Sequence, residues 1–237
     1  FTLDYVFSRV DSAGIQSRYF LNNIYLEHLY SGYNRIDGDF LDAASDDAIS
    51  IDNNSPEIYK LFMGRYSAVS RLRDMEWGAY YQGIRKANIL INNIDVVPFN
   101  LTYVNALGET KPLNYTMKAE ARFLRAYFYF ELVKRYGGVP LVGDNVYVLG
   151  DDVQLPRNTF AQCIDYIIGE LDEIKDDLRS LPMSDATEFA HAPTKETCLA
   201  MKARVLLYAA SPLFNEKPLE AGNELIGYAS YDSQRWN

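Results

Sequence analysis

The stretch from Lys118 to Val142, KAEARFLRAYFYFELVKRYGGVPLV, constrains this chain more than any other. Ala121, Leu124, Phe128, Leu132, Val133 and Tyr136 recur three or four positions apart, the spacing that gathers apolar side chains on one buried helix face. Gly137 and Gly138 stop the helix, since glycine adopts the left-handed conformation that commonly caps one. Pro140 bars its resumption. The local expectation is a helix, an abrupt stop and an extended exit.

The rest of the chain is also patterned for helices. The first is expected from Ala13 to Tyr30, with Ile15, Tyr19, Leu26 and Leu29 on one side. Pro56 opens a second, around Ile58, Leu61 and Phe62, as suits proline at a first helical position. A third spans Met75 to Ile94 with Trp77, Tyr81, Ile84, Ala87, Ile91 and Ile94 in a stripe. The Lys118 helix is fourth. Thr159 and Gln162 have the spacing of a capping box and open a fifth, with Phe160, Ile164, Ile167, Ile168, Leu171, Ile174 and Leu178 apolar. A sixth starts near Thr194, carries Leu199, Ala203, Leu206 and Ala210, and ends at Ser211-Pro212. Strand signals are confined to Val139–Val142 and Val146–Leu149. The expected class is mainly α, and alanines such as Ala126 and Ala203 suit closely packed helical hairpins.

Composition narrows function. At 237 residues and 48% hydrophobic, the chain has ample material for a core. No run reaches the roughly 18 apolar residues of a membrane-spanning helix. A net charge of −9 opposes nucleic acid and anionic lipid surfaces, which need basic patches. Cys163 and Cys198 fall in helical patterns away from any second cysteine, which predicts buried free thiols. His28 and His191 are the only histidines, so a histidine-rich metal site is not expected. Neither a phosphate-binding glycine loop nor a G-x-S-x-G elbow is present.

Particular residues go further. Ala119-Glu120-Ala121-Arg122-Phe123-Leu124-Arg125-Ala126, the aromatic run to Phe130 and Tyr136-Gly137-Gly138-Val139-Pro140-Leu141 resemble the signature helix of the SusD/RagB family. Trp77, Tyr81, Ile84, Ala87 and Asn88 resemble its W-x3-Y-x2-I-x2-A-N helix. Similar likenesses run from Gly32-Tyr33-Asn34-Arg35 through Asp46, at Leu155-Pro156-Arg157-Asn158-Thr159, at Ala192-Pro193-Thr194-Lys195, from Lys202 to Tyr208 and at Ser211-Pro212-Leu213-Phe214-Asn215. The resemblance implies one SusD-like domain over residues 1–237, the N-terminal portion of a longer protein, built from tetratricopeptide-like helical hairpins (an α/α superhelix) with long inserted loops.

It also implies a non-catalytic nutrient binder of the Bacteroidetes outer membrane. Such a protein is lipid-anchored at the extracellular face and delivers oligosaccharide, or peptide, to a SusC-like TonB-dependent transporter. No cofactor is implied. Sugar recognition needs flat aromatic faces and hydroxyl partners, for which Trp77, Tyr80, Asn34, Arg35 and Asp46 are the candidates. The aspartates of the loop from Ser31 to Ser55 (Asp37, Asp39, Asp42, Asp46, Asp47 and Asp52) fit turn and helix capping. A calcium loop fits less well, because Leu41 interrupts the ligand positions and no glutamate closes them. Two alternatives remain: a helical-repeat adaptor for a protein segment, and a glycoside hydrolase with paired carboxylates.

Overall fold

The structure, a computed structural model, describes residues 2–29, 35–36, 39–50, 56–67, 69–70, 77–181, 192–216 and 222–236. Its contacts fall into two compact units, Leu29–Ala79 and the remainder of the chain. The helical class holds: among the described residues, strands form only two short antiparallel hairpins.

Helices α1 (Leu3–Val6) and α2 (Ile15–His28) open the larger unit. The inward face of α2 is Ser17, Leu21 and Ile24, whereas the predicted stripe of Ile15, Tyr19 and Leu26 is exposed. Apolar residues lie all round this helix, and the buried face includes a polar group. The Ser17 hydroxyl donates to the Val6 carbonyl at 2.8 Å, so the buried side carries a serine that hydrophobic periodicity discards. Phe7 and Phe20 meet edge-on nearby, their centroids 5.6 Å apart. The expected end of this helix at Tyr30 lies outside the described residues.

The smaller unit is built locally. Strands β1 (Arg35–Ile36) and β2 (Asp39–Phe40) pair antiparallel, with Arg35 opposite Phe40. A 3-10 turn over Leu41–Ala44 follows. It buries Ala43 against Ile58 of α3 (Pro56–Phe62), with Ala44 and Leu61 packed around them. Proline stands at the start of α3, as expected.

Four long helices make the frame of the larger unit, and their order comes from which residues meet. Helix α4 (Trp77–Asn93) lies antiparallel to α5 (Leu113–Tyr136). Asp95, just beyond α4, bonds Lys118 at 2.6 Å, Asn88 meets Arg125 at 2.7 Å, and the Tyr81 ring lies edge-on to Tyr129. Gly83 of α4 leaves room for the Phe128 ring of α5, which would stand 2.7 Å from an added Cβ. Helix α6 (Phe160–Ile174) runs antiparallel to α5 in turn: Arg125 bonds Glu170 at 2.7 Å, and Tyr129 meets Tyr166. Helix α7 (Lys195–Ala210) reverses again on α6, with Lys195 on Asp176 and Lys202 on Asp172, both at 2.7 Å. Such successive reversals are the expected tetratricopeptide-like hairpins.

Three details differ from the sequence expectation. Helix α5 begins at Leu113 rather than Lys118, directly after a hairpin of β3 (Thr102–Val104) and β4 (Thr110–Pro112). That hairpin turns on the Asn105 side chain, which accepts the backbone N–H groups of Leu107 and Glu109. Val139–Val142 and Val146–Leu149 form no strand. The N–H groups of Val139, Leu141 and Val142 go instead to Cys163 Sγ, Asn158 Oδ1 and the Tyr129 hydroxyl, which satisfies the backbone without a ladder. Helix α7 buries Cys198, Met201, Val205, Ala209 and Ala210, while the predicted Leu199, Ala203 and Leu206 face outward. On the buried side the Cys198 thiol donates to the Leu171 carbonyl.

Other expectations hold. The Thr159–Gln162 capping box is formed in both directions, and α6 buries Phe160, Ile164, Ile167, Leu171 and Ile174. Cys163 and Cys198 are buried free thiols. Burial raises both, Cys198 to about 11, so neither is poised as a nucleophile. No helix of the described residues is long and apolar enough to cross a membrane.

Candidate functional site

The polar residues of the two motif helices converge on one loop. Arg125 is 2% exposed, and its guanidinium donates to Asn88 Oδ1 at 2.7 Å, Asp144 Oδ1 at 2.5 Å and Glu170 Oε2 at 2.7 Å. The Asn88 amide donates to the carbonyls of Gly143 and Asn145, Asn92 to that of Asp144, and the Tyr81 hydroxyl to that of Pro140. Arg122 clasps Glu170 through Nε at 3.1 Å and Nη2 at 2.8 Å. Burial opposes the charge on Glu170, but the hydrogen bonds from Arg122 and Arg125 outweigh it and hold the carboxyl below its ordinary range. The motif residues Tyr81, Asn88 and Arg125 thus secure the irregular segment after Gly137-Gly138. Isolated spacing could not reveal this, because all the loop partners but the Asp144 carboxylate are backbone carbonyls.

A second buried cluster joins α2 to α5. Glu120 accepts from the Tyr25 hydroxyl at 3.1 Å and the Thr116 hydroxyl at 3.3 Å, with Arg179 Nη1 at 3.5 Å. Burial pushes its carboxyl up to about 7, and Arg179, Tyr25 and Thr116 offset this only in part.

The candidate ligand residues are scattered. Asn34 lies outside the described residues, as do Asp37 and Asp52 of the acidic loop and His191. Arg35 is placed through its backbone, in β1. Asp46 is exposed, just past the Leu41–Ala44 turn. Its neighbours serve the local backbone: Asp39 Oδ1 accepts the N–H of Phe40, and Asp47 Oδ2 accepts from Ser45. Trp77 is half-buried at the first position of α4. Tyr80 requires a correction. It is 2% exposed, packed 6.3 Å from the Phe128 ring with the Arg135 guanidinium 5.9 Å from its centroid. Tyr80, not Tyr81, is the core ring of this helix, and it leaves no face for a sugar. Among the described residues, no three His, Cys, Asp or Glu side chains converge as a metal site.

Comparison with known proteins adds to this geometry. Residues 15–207 match the SusD-like 3 family, described as starch-binding and associating with the outer membrane. A curated relative, SusD-like protein P38 of Formosa agariphila, is 27% identical over 164 residues, which are 69% of this chain and 29% of the relative. A SusD-like protein of Bacteroides fragilis superposes with a TM-score of 0.62 at 27% identity, over 87% of this chain and 36% of that one. A SusD-like carbohydrate-binding protein from the same species shares the fold at 22% identity and a TM-score of 0.63, over 84% of this chain and 38% of that one. The chain therefore spans well under half the length of these relatives.

Proposed function

Because the chain belongs to the SusD-like family of starch-binding, outer-membrane-associated proteins, we propose that it binds oligosaccharide nutrients without transforming them. In this reading it works at the outer face of the outer membrane, held there by a lipid anchor, and passes its ligand to a SusC-like TonB-dependent transporter. The family match over residues 15–207 carries the proposal.

The helical frame supplies rigidity, and the loop unit ahead of α4 supplies the ligand contacts. Trp77, half-buried at the start of α4, stacks on a sugar ring, since a large flat side chain gives contact area with little entropy to lose. Asn34, Arg35 and Asp46 contribute hydroxyl partners. Tyr80 has no direct part and instead fixes α4 on α5 from within the core.

Calorimetric titration of the full-length protein with maltohexaose, cellohexaose, laminarihexaose and mixed peptides tests this. At least one neutral glycan is expected to bind, with Trp77→Ala weakening it about tenfold, roughly 1.4 kcal/mol. Binding of peptides alone, or of no glycan well into the millimolar range, contradicts it.

A further inference from the structure

A cleft of about 480 Å³ lies where the α4 exit, the first turns of α5 and the end of α6 meet. Its rim is Asp95, Asn114, Tyr115, Lys118, Arg122 and Asp177, and all six belong to the larger unit. Ala119 and Ile174, both buried, also line it and make its apolar part. None of these residues figures among the candidates of the loop unit. Its size falls in the range of small-ligand sites, about 300–1,000 Å³.

The rim chemistry selects among ligand classes. Tyr115 is 48% exposed, and Lys111 Nζ stands 5.5 Å from its ring centroid. Each rim cation already has a carboxylate: Lys118 holds Asp95 at 2.6 Å, and Arg122 holds Glu170 and Glu173. Asp177 in turn holds Lys111 at 3.0 Å. An anionic ligand would have to displace these carboxylates, and a cationic one the lysines. A purely apolar ligand would strip water from the rim's charged pairs and offer nothing to their remaining donors and acceptors, which is costly. A neutral sugar meets none of these objections. Its hydroxyls both donate and accept, so they bridge ammonium and carboxylate alike, while the C–H face of a pyranose lies on an aromatic ring.

We propose that this cleft is a second saccharide subsite, taking one or two neutral pyranose units with Tyr115 as the stacking platform and Asp95, Asn114, Lys118 and Asp177 as hydroxyl partners. The proposal rests on the oligosaccharide-binding reading and adds a contact surface carried by the helical frame itself.

Ring-labelled tyrosine NMR of the full-length protein tests it directly, with the Tyr115 signal assigned from Tyr115→Phe. Maltohexaose, cellohexaose and laminarihexaose are titrated, with oligogalacturonate as an acidic control. The expected result is a saturable shift of the Tyr115 signal with a neutral hexasaccharide, persisting in Trp77→Ala and absent with oligogalacturonate. Tyr115→Ala is expected to weaken binding about tenfold while leaving the thermal midpoint unchanged. A silent Tyr115 alongside calorimetric binding that Trp77→Ala abolishes overturns the subsite and leaves the proposed function standing. A Tyr115 response that survives when Trp77→Ala has no effect on affinity supports the subsite and moves recognition away from the loop unit. Failure of every glycan to bind overturns both.

Discussion

Two buried ionisable residues, Glu120 and Arg125, contribute to stability in different ways. Glu120 binds its proton more tightly in the fold than in the unfolded chain, since burial raises it from 4.5 to about 7. That contribution is therefore fully present below the unfolded value and is lost as pH rises through about 7. Glu120→Gln, whose amide mimics the protonated carboxyl, is expected to flatten the fall in urea midpoint between about pH 5 and about pH 8. An unchanged pH slope would show that Glu120 stays ionised beside Arg179. Arg125 is different, because its guanidinium satisfies Asn88, Asp144 and Glu170 together. Arg125→Met leaves those acceptors partly unpaired and is expected to cost about 3–5 kcal/mol in denaturant unfolding. Lys118→Ala, which removes the more exposed pair with Asp95, should cost under about 1 kcal/mol.

At the level of elements, helix stops and starts carry measurable weight. Gly137 has φ 71°, and an added Cβ would stand 2.0 Å from the Leu225 carbonyl oxygen. That oxygen accepts the Gly138 N–H. Gly137→Ala must therefore displace the 224–226 segment, and its unfolding midpoint should fall by more than that of Thr159→Ala. The latter loses only a capping box, worth about 1 kcal/mol. Equal losses would mean that the segment yields freely. These two features were legible in the sequence because each depends on residues adjacent along the chain. The inward faces of α2 and α7 were not, since both helices have apolar residues all round. The buried sides also carry the Ser17 hydroxyl and the Cys198 thiol, each bonded to a carbonyl distant along the chain, which periodicity does not weigh. The β3–β4 hairpin escaped for a similar reason: its turn is held by the Asn105 side chain rather than by a diagnostic dipeptide. Tyr80 was misjudged as a ligand platform because one position of helical rotation separates it from Tyr81. Packing on Phe128 decided which ring went inside.

At the level of the whole molecule, antiparallel helices hold an irregular loop in place through Asn88 and Arg125, and the proposed recognition surfaces belong one to the loop unit and one to that frame. Family membership was readable from ordered short motifs spread along the chain. Asn88 and Arg125, within those motifs, hold the structure, whereas the proposed ligand contacts divide between the loop unit, the start of α4 and the cleft beside the first turns of α5. The central claim is binding without turnover. It is tested most directly by equilibrium dialysis of the full-length protein with the best-bound neutral oligosaccharide, followed by chromatography of the recovered sugar. The account predicts retention of the glycan at its original length after prolonged incubation. Shortened products with new reducing ends, or no retention at all, would contradict it.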